Sequence, residues 1–168
     1  TDIIYPFWDG KTAKAKVIKD FWEYARGELV GKRISADLFG LTTVSNGDLG
    51  IGQLFENALP YFNDIAPMVY PSHYYPGSFG FANPAEHPYE VVFQSLARAI
   101  ERVKNYEIRS KSEAGTTTPI ANYELLIPKL RPWLQDFDLG ADYNAEAVRK
   151  EIQAVYDAAS STPELISG

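Results

Sequence analysis

The sequence predicts an α/β fold in which parallel strands alternate with helices, within a single domain that spans residues 1–168. Three observations support this prediction. Stretches of helical apolar periodicity alternate along the chain with short, mostly apolar stretches that are typical of buried strands. That order favours parallel strands joined by right-handed crossovers. A chain of 168 residues with 45% hydrophobic content is also long enough to bury one core.

The first half of the chain is predicted to form two helices and two strands. A helix at 14–29 is followed by a strand at 33–41, a helix at 49–59 that Asp48 caps, and a strand at 64–70. The helix between the two strands is the expected crossover between them. The inward-facing apolar residues of the first helix are expected to be Val17, Ile18, Phe21, Trp22, Ala25 and Leu29.

The second half is predicted to add two helices and a third strand. The helices are expected at 89–106 and 145–159, and the strand is expected at 129–137. Asn144 is the expected cap of the last helix. The polar residues 110–122 are expected to form an exposed connection. In the last helix the expected inward residues are Val148, Ile152 and Val155, and the expected surface charges are Glu146, Lys150 and Glu151.

Charge and composition exclude several kinds of partner and site. The formal net charge is −6 and the sequence has no basic run, so neither a nucleic acid nor an anionic membrane surface is an expected partner. Cysteine is absent, which excludes disulfides and thiolate metal sites. No apolar run approaches the roughly 20 residues that span a bilayer, so membrane insertion is not expected. No cofactor is expected either.

Each predicted strand ends in polar or aromatic side chains. The first strand ends at Asp37, the second at Tyr70, Ser72 and His73, and the third at Trp133, Gln135 and Asp136. The catalytic groups of parallel α/β folds collect at the carboxyl ends of the strands. We therefore expect these side chains to share one site. Alternation along the third strand favours Gln135 inside that site and Asp136 at its rim.

The residue types at the strand ends favour carbohydrate chemistry. Sugar rings stack on aromatic side chains such as Tyr70, Tyr74 and Trp133, while sugar hydroxyls need amide and carboxylate partners. Cleavage of a glycosidic bond needs two carboxyl groups, roughly 5–5.5 Å apart for retention or roughly 6.5–9.5 Å apart for inversion. Asp37 and Asp136 are the candidate pair.

Other interpretations of the same residues stay open. Asp37 also suits a structural carboxylate, and Tyr70 and Trp133 suit rings that fill the centre of a barrel. Asp37, His73 and Asp136 offer the mixed oxygen and nitrogen ligands of a metal-assisted carbohydrate deacetylase. A non-catalytic carbohydrate-binding or scaffold barrel would keep the aromatic residues and lack turnover.

Four ordered motifs carry a family resemblance. They are SADLFG at 35–40, GIGQ at 50–53, PMVYPSHY at 67–74 and RPWLQDF at 131–137. With these motifs the chain resembles a bacterial family of glycoside-hydrolase domains, long catalogued as a domain of unknown function and distantly similar to the α-amylase group. The resemblance implies a (β/α)8 TIM barrel that acts on a polysaccharide or oligosaccharide. It also adds Gln53 to the expected substrate-binding residues.

The resemblance, which runs from Ile4 to Ala158, implies only the C-terminal portion of such a barrel, with its strands five to seven. The family's preceding and final strands have no counterpart in the sequence. By analogy with the α-amylase group, Asp37 would be the acid/base and Asp136 a transition-state stabiliser. The implied location is secreted or attached to the cell envelope. Because three strands alone leave two open edges, we expect a proteolytic remnant, a truncated form that lacks its complementary barrel half, or a half that assembles with another copy.

Overall fold

The fold is built around a parallel sheet of three strands. The computed structural model describes residues 12–113 and 126–166. Its strands are β1 (Ser35–Phe39), β2 (Asp64–Met68) and β3 (Lys129–Leu130). Strand β2 is central and pairs in parallel with both neighbours. The α/β class and the parallel sheet are therefore confirmed, and both are compatible with a portion of a TIM barrel.

Four α-helices lie in the described ranges: α1 (Lys14–Glu28), α2 (Phe55–Ala58), α3 (Pro88–Glu113) and α4 (Ala145–Ala158). Asn144 caps α4 as predicted, because its side-chain oxygen accepts two backbone N–H groups of the first turn. None of these helices combines the length and the apolar character that crossing a membrane requires.

One face of the sheet packs against the helices. In β1, Ala36 and Leu38 are buried, while Ser35, Asp37 and Phe39 are exposed. Successive side chains of a strand point to opposite faces, so the exposed residues share the face that turns away from the helices. We call this face the inner face of the sheet. The helix-side core also includes Trp22, Phe55, Ile65, Val103 and Leu130.

Arg102 ties α3 to the segment that follows β1. Its guanidinium forms a two-point ion pair with Glu56. It also donates hydrogen bonds to the backbone carbonyls of Thr42, Thr43 and Ser45. The Arg102 side chain is only 15% exposed. A charge at such a depth is tolerated when it is paired and fully hydrogen-bonded, so this cluster fixes the backbone just beyond β1.

The second helix is much shorter than predicted. Helix α2 has four residues, and the expected first turns form a loop instead. Leu49, Gly50 and Gly52 have φ angles of 57°, 71° and 86°, which a right-handed helix does not allow. Asp48 accepts the Gly50 N–H at 2.9 Å and thereby closes a turn in place of capping a helix.

The third helix is longer than predicted, because α3 continues to Glu113. The first part of the connection predicted at 110–122 is therefore helical. The remainder of that connection lies outside the described residues.

The third strand is shorter than predicted, and the sheet continues beyond it. Strand β3 ends at Leu130, because Pro67 of β2 has no N–H to donate to the Arg131 carbonyl, and a single bridge to β2 follows at Trp133. Residues 135–137 belong to the next loop. After α4, Ile166 forms a parallel bridge with Leu130. Ile166 thus pairs with β3 at a position where no final strand was expected.

The buried face of α1 is narrower than predicted. Trp22 is buried and Ile18 packs against the core. Val17, Phe21 and Leu29 were expected to face inward, but they are 47%, 61% and 43% exposed. The described residues cover only one side of α1, and that leaves an apolar stripe at the surface.

Candidate functional site

Asp37 and Trp133 meet on the inner face of the sheet. The Oδ1 atom of Asp37 accepts the indole Nε1–H of Trp133 at 3.2 Å. Main-chain bonds fix Trp133 to β2: its N–H donates to the Pro67 carbonyl at 3.0 Å, and its carbonyl accepts the Val69 N–H at 3.2 Å. Asp37 is exposed, and the Trp133 side chain is 53% exposed. The pair therefore presents an indole ring beside a carboxylate to solvent.

Three rings gather beyond the ends of β2 and β3. The ring centroid of Tyr70 lies 5.1 Å from that of His73 and 5.4 Å from that of Phe137, in edge-to-face contacts. The His73 and Phe137 centroids are 6.2 Å apart. We call these three side chains the ring cluster. A one-turn 3-10 helix, Pro71–His73, directs the chain so that His73 folds back onto Tyr70.

The two candidate carboxylates lie near the ring cluster. Burial raises the pKa of the Tyr70 hydroxyl, and the negative charges of Asp37 and Asp136 raise it further. Both carboxylates therefore act on one phenol, although Asp37 lies in β1 and Asp136 in the loop after β3. Asp136 is exposed, as expected for a residue at the rim. Asp37, Tyr70, His73, Trp133 and Asp136 thus belong to one neighbourhood at the strand ends.

Gln135 lies beneath this neighbourhood and is fully buried. Its Oε1 accepts the Ser72 N–H at 3.1 Å, and its Nε2 donates to the Phe137 carbonyl at 2.9 Å and to the Leu139 carbonyl at 3.5 Å. The Ser72 hydroxyl is also buried and has no hydrogen-bond partner among the described residues. Gln135 therefore joins the loop after β2 to the loop after β3.

Glu151 of α4 supports the same loop from behind, and the prediction that it is a surface charge is wrong. It is fully buried, whereas its neighbour Ile152, expected to face inward, is 43% exposed. The Glu151 Oε2 accepts the Gln135 N–H at 2.9 Å. Burial raises the pKa of Glu151 to about 8; the hydrogen bond from Gln135 opposes this rise and the charge of Asp136 adds to it.

The sequence does carry a signal for the burial of Glu151. This residue lies three positions after Val148 and three before the fully buried Ala154, which places it on the buried stripe of the helix. Because Glu is a charged residue type, it interrupts the apolar periodicity by which a buried helix face is normally identified. The signal is in the spacing of its neighbours.

Tyr74 and Gln53 hold the loops in place. Tyr74 is buried, its hydroxyl shares a 2.8 Å hydrogen bond with Ser95 Oγ, and burial raises its pKa to about 12. The Gln53 Oε1 accepts the N–H of Phe39, the last residue of β1, at 2.9 Å. Between them, Gly40 packs so tightly that an added Cβ would clash with neighbouring atoms. Within the described structure, therefore, both expected substrate-binding side chains bond to protein groups.

The metal-dependent alternative gains no support from the geometry. Within residues 12–113 and 126–166, no group of three or more His, Asp or Glu side chains is placed to hold a metal ion. The trio of Asp37, His73 and Asp136 that this alternative would need is therefore not gathered as ligands.

Comparison with known proteins identifies the family. No curated protein and no solved structure matches the chain. One family does match, over residues 2–164, which is nearly the whole chain. This agrees with the resemblance carried by the four motifs and with the carboxylates and rings at the strand ends. The chain belongs to the family described as "Putative glycosyl hydrolase domain".

Proposed function

We propose that the protein is a glycoside hydrolase whose strand ends bind a polysaccharide or oligosaccharide. The observation that carries this proposal is the contact between the exposed Asp37 carboxylate and the half-exposed Trp133 indole. The apolar C–H face of a sugar stacks on an indole, and that stacking would bring the sugar's glycosidic oxygen close to the adjacent carboxylate. Membership of the family supports the same reaction class.

Asp37 is the proposed general acid/base. The indole N–H bonds to Oδ1 and orients the carboxyl group, and Oδ2 is left to meet the substrate. Asp136 is the proposed second carboxylate, because it is exposed and its charge reaches the same Tyr70 hydroxyl as that of Asp37. The ring cluster forms the adjoining wall for the saccharide.

We propose that additional strands complete the site. Phe39 and Trp133 are 47% and 53% exposed on the inner face, and β1 has no partner on its outer edge among the described residues. Unpaired strand edges and exposed rings favour cover by more strands, from the same polypeptide or from another copy. We also propose a secreted or envelope location, where polysaccharides are found.

An Asp37→Asn substitution tests the proposed reaction. On a panel of soluble oligosaccharides and polysaccharides, the variant should keep its affinity and lose turnover by about 100-fold or more, because Asn cannot transfer a proton. Glu28→Gln is the control, since Glu28 is an exposed carboxylate at the far end of α1. A wild-type protein that binds no saccharide on the panel would refute the proposed function.

A non-catalytic carbohydrate-binding domain is the second candidate. The open position of Trp133 favours it, because an exposed ring binds sugar whether or not a carboxylate acts. The same panel separates the two candidates. Saccharide binding by a wild type that releases no reducing ends, unchanged by Asp37→Asn, would favour the binding domain.

A further inference from the structure

We propose that Glu151 is a positioning residue: its buried carboxyl holds Gln135, and through Gln135 it holds the loop that carries His73. The consequence for saccharide binding rests on the proposed function. The positioning itself does not rest on the proposed function, because the hydrogen bonds that link Glu151, Gln135 and Ser72 belong to the fold.

The links run through backbone N–H groups. The Gln135 N–H donates to Glu151 Oε2 at 2.9 Å, and the Ser72 N–H donates to Gln135 Oε1 at 3.1 Å. Glu151 and Gln135 are both fully buried, so water does not compete for these bonds. Ser72 directly precedes His73, which lies in the ring cluster. Two hydrogen bonds therefore connect α4 to the wall of the site.

Two buried oxygens along this path lack partners. Neither Glu151 Oε1 nor Ser72 Oγ has a hydrogen-bond partner among the described residues. A buried polar atom without a partner is costly, and chains keep such atoms mainly where they have a role beyond packing. An apolar residue would fill the position of Glu151 at lower cost. The Glu151 carboxyl is explained by its role as the hydrogen-bond acceptor of the Gln135 N–H.

Burial favours the protonated form of the Glu151 carboxyl, and a nearby negative charge favours it further. In the described part of the chain, the ionisable group that acts on Glu151 is Asp136, from the loop after β3, and Glu151 in turn acts on Tyr143, from the loop before α4. Burial and the negative charge of Asp136 raise the pKa of Glu151, and burial with the charge of Glu151 raises the pKa of Tyr143. Neither neighbour offers a positive charge to stabilise a carboxylate.

Amide hydrogen exchange measured by NMR tests the positioning. Glu151→Met matches the side-chain volume and removes the acceptor, so the Ser72 and Gln135 amides should exchange at least about tenfold faster than in the wild type. Glu151→Gln keeps an acceptor oxygen and should restore both amides to within about threefold of wild type. The Leu29 amide, which donates to the Ala25 carbonyl in α1, serves as the internal reference.

Several outcomes would overturn the proposal. If the Ser72 amide exchanges at the wild-type rate in Glu151→Met, the hydrogen bonds from Glu151 do not constrain the loop. If Glu151→Gln accelerates exchange as much as Glu151→Met does, the acceptor oxygen is not what holds the loop. If Glu151→Met does not fold, Glu151→Asp replaces it, because the shorter side chain withdraws the carboxyl from Gln135 and should likewise accelerate exchange. Glu146→Met, exposed on the same helix, should leave Ser72 unchanged.

A second measurement separates this proposal from the proposed function. For any saccharide that the wild type binds on the panel, Glu151→Met should weaken binding and Glu151→Gln should preserve it. If the wild type binds none, the proposed function fails, while the exchange rates still decide whether Glu151 positions the loop.

Discussion

A Glu151→Gln substitution should make the stability of this protein less dependent on pH. Burial raises the pKa of Glu151 from its usual 4.5 to about 8 in the folded state. One pKa unit corresponds to about 1.4 kcal/mol, so the shift corresponds to on the order of 4–5 kcal/mol of stability. Gln has nearly the same size and keeps the acceptor oxygen, but it has no proton to lose in this range.

The direction of the effect follows from proton binding. Between pH 4.5 and about 8, the unfolded chain releases the Glu151 proton while the folded protein retains it. The unfolded state then binds fewer protons, so the free energy of unfolding of the wild type falls as the pH rises through this window. Below the window both states are protonated and above it both are ionised, so the difference between wild type and variant should be constant there.

Urea unfolding at several pH values across this window measures the effect. The free energy of unfolding of the wild type, minus that of Glu151→Gln, should fall by several kcal/mol from the acidic end to the basic end. Any cost of burying the amide is independent of pH and cancels in that comparison. Glu146→Gln, at an exposed position of α4, should follow the wild-type pH dependence. A difference between the wild type and the Glu151→Gln variant that stays constant within about 0.5 kcal/mol would refute the reasoning.

Two further substitutions test the packing that holds the loops. Arg102→Met should lower the free energy of unfolding by about 3–5 kcal/mol, because it leaves a carboxylate and three carbonyls without their donor, whereas the exposed Arg98→Met should cost less than about 1 kcal/mol. Gly40→Ala should cost about 1–3 kcal/mol, since its Cβ would clash with the Met68 carbonyl oxygen; Gly47→Ala, whose Cβ would have no neighbour closer than 3.9 Å, is its control. Urea unfolding measures both pairs, and equal losses in a variant and its control would contradict the packing argument.

The alternation of elements was predictable from the sequence, while their ends were not. Periodicity identifies a helix or a strand because it reflects one buried face over several residues. The end of an element depends on local backbone chemistry, as the positive φ of Leu49 and the missing N–H of Pro67 illustrate. The exposure of Phe21 shows a second limit, because an apolar stripe indicates a face without indicating what covers it.

The candidate site was predictable as a neighbourhood and not as a set of contacts. Asp37 and Trp133 were expected together because parallel strands end at one edge of a sheet, and their hydrogen bond agrees with that expectation. Gln135 was expected inside the site and it is buried, but its bonds to the loops after β2 and β3 could not be predicted, since β3 ends before that position. Glu151 was missed because a carboxylate on a helix is usually solvated, although its spacing from Val148 and Ala154 places it on the buried stripe; its partner, the Gln135 N–H, lies on another element.

The attachment of Trp133 to β2 has a consequence for altering specificity. Both bonds to Pro67 and Val69 use the main chain of Trp133, so they do not depend on which side chain occupies the position. An exchange of the indole for another ring would change the surface offered to a ligand while the strand register persists. Under the proposed function, position 133 is therefore a place where a substitution would change ligand preference while the backbone pairing is kept.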